Sequence, residues 1–294
     1  MTYVLAARIL TLVKGSPEAI RSFQIERYRA GTRDRATDRT TVEEPLEIRA
    51  GGQTLCVTMR TPGHDFELAA GFLLAEGIVS RPQEIVRIEH CRDVRSPEEE
   101  GNVVLARVTA SLSSLESARR LLLTTSSCGL CGKGSIEAIH RRFKPLPTTA
   151  PVAPEVLFAL PGRLRRGQKT FGQTGGLHAA AIFTPSGRLR ILREDVGRHN
   201  AVDKAIGRLF LDGRVPLSDA ILLVSGRASF EIVQKALAAS VPVVAAVSAP
   251  SSLAVELARE SNMTLVGFLR GGGLNLYSGT LAAAPGVNAP AATG

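Results

Sequence analysis

Residues 46–60, LEIRAGGQTLCVTMR, alternate apolar and polar positions on either side of Gly51-Gly52. A period of two broken by paired glycines predicts a β-hairpin, because the glycines supply the positive φ of a tight turn. Residues 65–79, DFELAAGFLLAEGIV, carry apolar side chains at helical spacing, with Asp65 as the expected N-cap and Gly77 as the stop. Two further strand patterns, IVRIEHC and NVVLARVT, flank the acidic loop SPEEEG. The first forty residues are polar and Arg-rich without a clean period, and predict a short strand or two with a flexible connection. Together these elements predict a small N-terminal α+β domain over residues 1–123.

The second half is patterned differently. HAAAIFT, PSG and RLRILRE read as a hairpin, followed by a helix over residues 200–211 that Gly213 ends. Next come AILLVS, SFEIVQKALAAS, VPVVAAVS, SSLAVELARES and TLVGFLR. Near-continuous apolar runs alternating with amphipathic segments indicate parallel strands, covered on both faces, joined by helical crossovers. The predicted fold class is therefore α/β, with an α/β domain over residues 124–280 beside the smaller domain. Residues 281–294, LAAAPGVNAPAATG, are small and Pro-containing and predict a disordered tail.

Composition narrows the partners. The chain has 294 residues, 44% of them hydrophobic, enough for two ordinary domains or one large one. No apolar run reaches the roughly 18 residues a membrane span needs. The best candidate, residues 3–13, contains Arg8 and ends at Lys14. A secretory signal pattern is also missing, which predicts a cytoplasmic protein with no membrane role. The net charge of +9 favours a partner that carries phosphates. Nucleic acid fits poorly, because aromatic residues are 4% of the chain, tryptophan is absent and no known nucleic-acid module is present. A phosphate-rich small cofactor or an acidic protein partner suits the charge better, beside the plain alternative of a basic solvated surface.

Open α/β sheets bind ligands at the carboxyl ends of their strands. The loop segments there are Ser225-Gly226-Arg227, Ser248-Ala249-Pro250-Ser251 and Arg270-Gly271-Gly272-Gly273, each able to bind an anion, the glycines by letting backbone amides approach and the two arginines through their guanidinium groups. FGQTGGLHAAA sets His178 after Gly175-Gly176. REDVGRHNAVDK packs Glu194, Asp195, Arg198, His199, Asn200, Asp203 and Lys204 into a strand-to-helix junction, a candidate site lining.

Two of the four cysteines, Cys128 and Cys131, lie in TTSSCGLCGKGS. Zinc would need further ligands, and with a single CxxC they would have to come from residues such as His90 or His140, so no zinc is expected. A thioredoxin-type switch would follow a strand directly. Here glycines surround the pair and Lys133 favours the thiolate, as suits a carrier arm; a flexible linker with incidental cysteines is the bland alternative. Cys56 reads as a small hydrophobe on a strand, and Cys91 beside His90 makes no metal site.

The chain resembles the FdhD family, the formate dehydrogenase accessory sulfurtransferases, through EEPLEI, MRTPGHDFELAAGFLLAEGIV, SSCGLCGKGSIE, TGGLHAAA, EDVGRHNAVDKAIG, VSGRASFEIVQKA, VPVVAAVSAPSSLAVELA and TLVGFLRGG. The resemblance spans residues 43–279. It implies a sulfur relay, with Cys128 as persulfide carrier and Cys131 assisting. A cysteine desulfurase would be the donor, and the acceptor a molybdenum or tungsten bis-pterin guanine dinucleotide cofactor, Mo-bis(molybdopterin guanine dinucleotide) in the molybdenum case, destined for formate dehydrogenase. It also implies a cytidine-deaminase-like C-terminal domain without zinc and a homodimer. The family's cofactor stretch maps onto Phe268, Leu269, Arg270, Gly271, Gly272 and Gly273; Ser225, Arg227, His178 and His199 join them as candidate cofactor-binding residues. A cofactor-binding chaperone without sulfur transfer is the alternative reading.

Overall fold

The structure, a computed structural model, describes residues 18–93, 99–111 and 132–283. Its first element is a two-stranded ribbon, β1 (Ile20–Arg29) and β2 (Thr32–Thr41), paired from Ile20↔Thr41 to Arg29↔Thr32. Both strands are longer than expected and the connection is a tight turn at Ala30-Gly31, not a flexible one. The apolar period was unreadable because the ribbon buries little on either face.

The hairpin predicted around Gly51-Gly52 is present as β3 (Glu44–Ala50) and β4 (Gln53–Arg60), and both glycines have positive φ, 58° and 76°. With β5 (Ile85–His90) and β6 (Val103–Val108) it forms a four-stranded sheet in the order β4-β3-β6-β5. Helix α1 (Asp65–Ala75) is buried along all but one of its residues. A helix apolar all round belongs between two layers, and α1 lies between this sheet and a helix of the second half. Its end at Gly77 (φ 65°) is as expected, but its start is not. The residue before the helix is His64, left-handed at φ 60°, without a side-chain cap. Asp65 instead receives the Arg60 guanidinium, Nε to Oδ1 at 3.0 Å and Nη2 to Oδ2 at 3.1 Å, and Arg60 also reaches Asn102 Oδ1 at 2.8 Å.

After α2 (Gly132–Arg142), α3 (Pro154–Gly167) and the single turn α4 (Phe171–Thr174), the chain builds a six-stranded sheet. Its strands are β7 (His178–Phe183), β8 (Leu189–Asp195), β9 (Ile221–Val224), β10 (Val243–Ala246), β11 (Thr264–Arg270) and β12 (Gly273–Ser278), ordered β12-β11-β10-β9-β7-β8. The three central strands β9, β10 and β11 are parallel, and β7 and β12 flank them antiparallel. Three crossover helices, α5 (Arg198–Leu211), α6 (Phe230–Ala238) and α7 (Ser252–Glu260), cover one face. The other face packs on Leu157, Leu160 and Leu164 of α3. Strand β12 was not anticipated, and Leu281 bridges Val152 with Ala282 N donating to Val152 O at 3.0 Å. The chain is thus ordered past 281, where a disordered tail was expected to begin; residues 284–294 lie outside the described residues.

The two halves share one hydrophobic core, running from Leu46, Ile48 and Val104 through α1 to α5, α6 and the six-stranded sheet. Where α1 crosses α5 the backbones touch: a Cβ on Gly71 would land on the Asp203 carbonyl, and one on Gly207 on the Glu67 carbonyl. No side chain can give way to relieve those clashes. Gly71→Ala and Gly207→Ala should each destabilise the protein by about 3 kcal/mol in urea unfolding, the upper end for overpacking. Gly172→Ala, with nothing within 4 Å, should change stability by less than about 1 kcal/mol.

Candidate functional site at one end of the six-stranded sheet

Because β7 runs antiparallel to β9, its first residue His178 lies at the same end of the sheet as the carboxyl ends of β8, β9, β10 and β11. The predicted strand-end segments therefore converge. Ser225 N donates to Ala179 O at 2.9 Å, and Ala179 N donates back to Ser225 Oγ at 2.9 Å. The next loops are laced edge to edge: Ser248 N to Gly226 O at 3.3 Å, Ala228 N to Ala249 O at 3.2 Å, Ser251 N to Ala228 O at 3.0 Å and Phe268 N to Ser248 O at 3.1 Å. Helices α5, α6 and α7 all start on this rim. Ser251 caps α7 by accepting from Ala254 N, whereas α5 and α6 have no side-chain cap, so their first amides remain available as donors.

Arg270-Gly271-Gly272-Gly273, expected as a strand-end loop, is the tight turn of the β11–β12 hairpin: Arg270 pairs with Gly273, and Gly271 and Gly272 have φ of 59° and 76°. Phe268 just before it is left-handed (φ 51°), a strained state for an aromatic residue. The Arg270 guanidinium lies 5.6 Å from the Phe268 ring centroid. Leu269 points the other way, fully buried under α3, so its side chain does not reach the rim. Arg227 is exposed.

The two histidines stand on this rim in different settings. Burial holds His178 below the ordinary imidazole value, and the charges of Arg198 and His199 push it further the same way. His199 Nε2 is 2.7 Å from Glu231 Oε2 and 3.1 Å from Ser229 Oγ, while Ser229 makes no side-chain cap to α6. That bond to His199, opposed by burial, draws the Glu231 carboxyl below the usual glutamate range. Arg198 Nε is buried with no hydrogen-bond partner among the described residues. Basic groups and unused donors suit this rim to an anionic ligand.

The rest of the charged motif is not the site lining that the sequence led us to expect: Asp195, Asn200 and Lys204 form the seam between the two halves, while Glu194 and Asp203 pair within the second half. Asp195 is completely buried and Lys204 is 1% exposed. Lys204 Nζ lies 2.6 Å from Asp195 Oδ2 and donates to Thr61 O at 2.7 Å. Thr61 N donates to Asp195 Oδ2 at 3.2 Å, and Asn200 Nδ2 to Met59 O at 2.7 Å. Asp203 takes Lys235 Nζ on both oxygens at 2.8 Å. Glu194 accepts from Thr170 N and Phe171 N at 3.0 and 2.8 Å, holding α4. The missed residues are Met59 and Thr61, whose backbone groups complete this lock. The available signal was spacing: Asn200, Asp203, Lys204 and Gly207 recur at i, i+3, i+4 and i+7, one face of α5.

Cys128 and Cys131 lie outside the described residues. Cys56 is half-buried on β4 near Lys235 and Asp203, and burial pushes its thiol up to about 11. Cys91 donates its thiol to Asp93 O at 3.3 Å. Among the described residues no group of three or more His, Cys, Asp or Glu could hold a metal, and no helix is long and apolar enough to cross a membrane.

A model of the FdhD/NarQ family matches residues 41–283, most of the chain. The chain belongs to the FdhD/NarQ family. It is 51% identical over 261 residues to the "Sulfur carrier protein FdhD" of Streptomyces avermitilis, covering 87% of this chain and 93% of that one. With the protein of the same name from Mycobacterium tuberculosis it shares 52% identity over 249 residues, 81% of this chain and 88% of that one. Its fold is similar to the crystal structure of a proposed formate dehydrogenase accessory protein from Desulfotalea psychrophila, with a TM-score of 0.69 at 23% identity, covering 89% and 97% of the two chains. Within the FdhD/NarQ match fall the rim, the seam and both CGLCG cysteines; the β1–β2 ribbon lies almost wholly before it.

The seam carries a stability prediction. Lys204→Met leaves Asp195 buried without its cation and should cost about 3–5 kcal/mol in urea unfolding. Adding Asp195→Asn removes the stranded charge and should recover a measurable part of that loss.

Proposed function

We propose that this protein is a cytoplasmic sulfur carrier. It accepts persulfide sulfur from a cysteine desulfurase on Cys128, with Cys131 assisting. It then passes the sulfur to a molybdenum or tungsten bis-pterin guanine dinucleotide cofactor that serves formate dehydrogenase, acting as a homodimer. The observation that carries the reading is a CGLCG pair in a chain about half identical to proteins named as sulfur carriers. The rim supports the acceptor half of the proposal. Its uncapped helix ends, Ser225, Arg227, Arg270 and the Arg198 Nε donor suit the phosphates of a dinucleotide, with His178 and His199 beside them. Phe268, Gly271, Gly272 and Gly273 add an aromatic face and turn amides, while Leu269 contributes only backbone.

The loading step is ordinary thiol exchange. The Cys128 thiolate attacks the outer sulfur of the donor's persulfide, the donor's S–S bond breaks, its thiolate leaves, and a new S–S bond forms on Cys128. A second exchange of the same kind moves the outer sulfur to Cys131 and returns Cys128 to a thiolate. The acceptor is the substrate; the chain's part is to hold its phosphates and bring the persulfide to it.

Incubation with cysteine and an active cysteine desulfurase should add one dithiothreitol-reversible sulfur to the peptide holding Cys128 and Cys131, seen by mass spectrometry. Cys128→Ala should lose formate dehydrogenase activation by at least roughly a hundredfold, as for loss of a covalent nucleophile, while retaining guanosine diphosphate binding. No adduct, or full activation by Cys128→Ala, would turn the assignment to a cofactor-binding chaperone without sulfur transfer.

A further inference from the structure

Residues 156–193 contain no Asp or Glu and seven Lys or Arg. Three of these cations are used locally: Arg163 donates to the Gly187 carbonyl, Arg190 meets Asp219 and Arg193 meets Glu67. Arg165, Arg166, Lys169 and Arg188 are exposed and have no carboxylate partner among the described residues. Two acids border the stretch: Glu155, exposed in the first turn of α3 about three turns before Arg165, and Glu194, which is taken by the Thr170 and Phe171 amides. Arg165 lies over the Phe171 ring at 4.6 Å, and Arg39 at the end of the ribbon reaches Gln173 Oε1 at 3.0 Å, extending the positive patch across α4. On α3 itself Leu157, Leu160 and Leu164 face the sheet, so Glu155, Phe158, Ala159, Gly162, Arg165 and Arg166 form the outward side, acidic only at its first turn and basic at its last. Phe158 is 39% exposed and is followed by a smooth floor at Ala159 and Gly162.

An uncompensated cluster of like charges repels itself, and an acidic partner removes that repulsion. Arginine and aromatic side chains in one patch are also the groups that dominate protein interfaces. The apolar strip gives no purchase to a phosphate backbone, which disfavours nucleic acid. We propose that the outer face of α3, with α4 and the end of the ribbon, is a docking surface for an acidic segment of a partner protein, anchored by an apolar side chain against Phe158, Ala159 and Gly162. The surface is independent of the sulfur chemistry. It belongs to the side of the six-stranded sheet opposite α5, α6 and α7.

The test uses the full chain in its own cells, with a photo-reactive phenylalanine analogue at position 162, where a Cβ meets only the tip of Arg166, or at the control position 86 on the four-stranded sheet. Position 162 should cross-link to another protein through a segment rich in Asp and Glu, identified by mass spectrometry. Arg165→Glu with Arg166→Glu should reduce the yield roughly tenfold, and Lys in place of the partner's acids should restore it. Should the double variant melt early, Arg166→Gln removes one exposed charge and should still lower the yield. No adduct above control, or adducts to nucleic acid, to a second copy of this chain or to a segment without excess acid, would overturn the proposal.

Discussion

Helices α1 and α5 meet backbone to backbone at Gly71 and Gly207, and the position of the site depends on that contact. It brings the first half of the chain close enough for Met59 and Thr61 to bond Asn200, Lys204 and Asp195. Asp195 ends β8 and Gly197 immediately precedes α5, with Gly197 N donating to Asp195 Oδ1 at 2.8 Å. Whatever fixes Asp195 therefore also fixes where Arg198 and His199 emerge on the rim. A buried ion pair is weak evidence of net stability, but it is costly to break and tolerates few alternative arrangements. Here it fixes the register of two layers.

The charged motif thus divides between two tasks. Its inward-facing members lock the seam, while Arg198 and His199, at the first turn of α5, stand at the open end of the sheet. On that rim the electrostatics are asymmetric: His178 is biased toward its neutral form, whereas His199 has a carboxylate beside it. The neighbouring loops are held by main-chain bonds, so the uncapped amides of α5 and α6 are presented by a rigid frame. Preformed donors lose little entropy on binding an anion.

The strands buried on both faces were legible because continuous apolar runs between helical patterns have few other readings, and so was the hairpin around Gly51-Gly52. The ribbon β1–β2 was not, since a strand exposed on both faces leaves no alternation. Helix α3 escaped because Pro161 sits inside it and its arginines mask the three-leucine stripe; β12 escaped because three glycines before it read as a loop. Asp65 looked like a cap because a short acid before an apolar run usually is one, but Arg60 five residues earlier claimed it. The strand-end segments were legible from topology alone. That Asn200, Asp203 and Lys204 face inward was written in their helical spacing, yet charge density at a strand-to-helix junction concealed it.

The central claim is that the rim binds an anionic nucleotide while the seam beneath it stays shut. Backbone hydrogen exchange with and without guanosine diphosphate tests it most directly. The account predicts added protection over residues 225–229, 248–252 and 268–273, with no change in β3 and β4. Protection confined to the four-stranded sheet or the ribbon, with the rim unaltered, would contradict it.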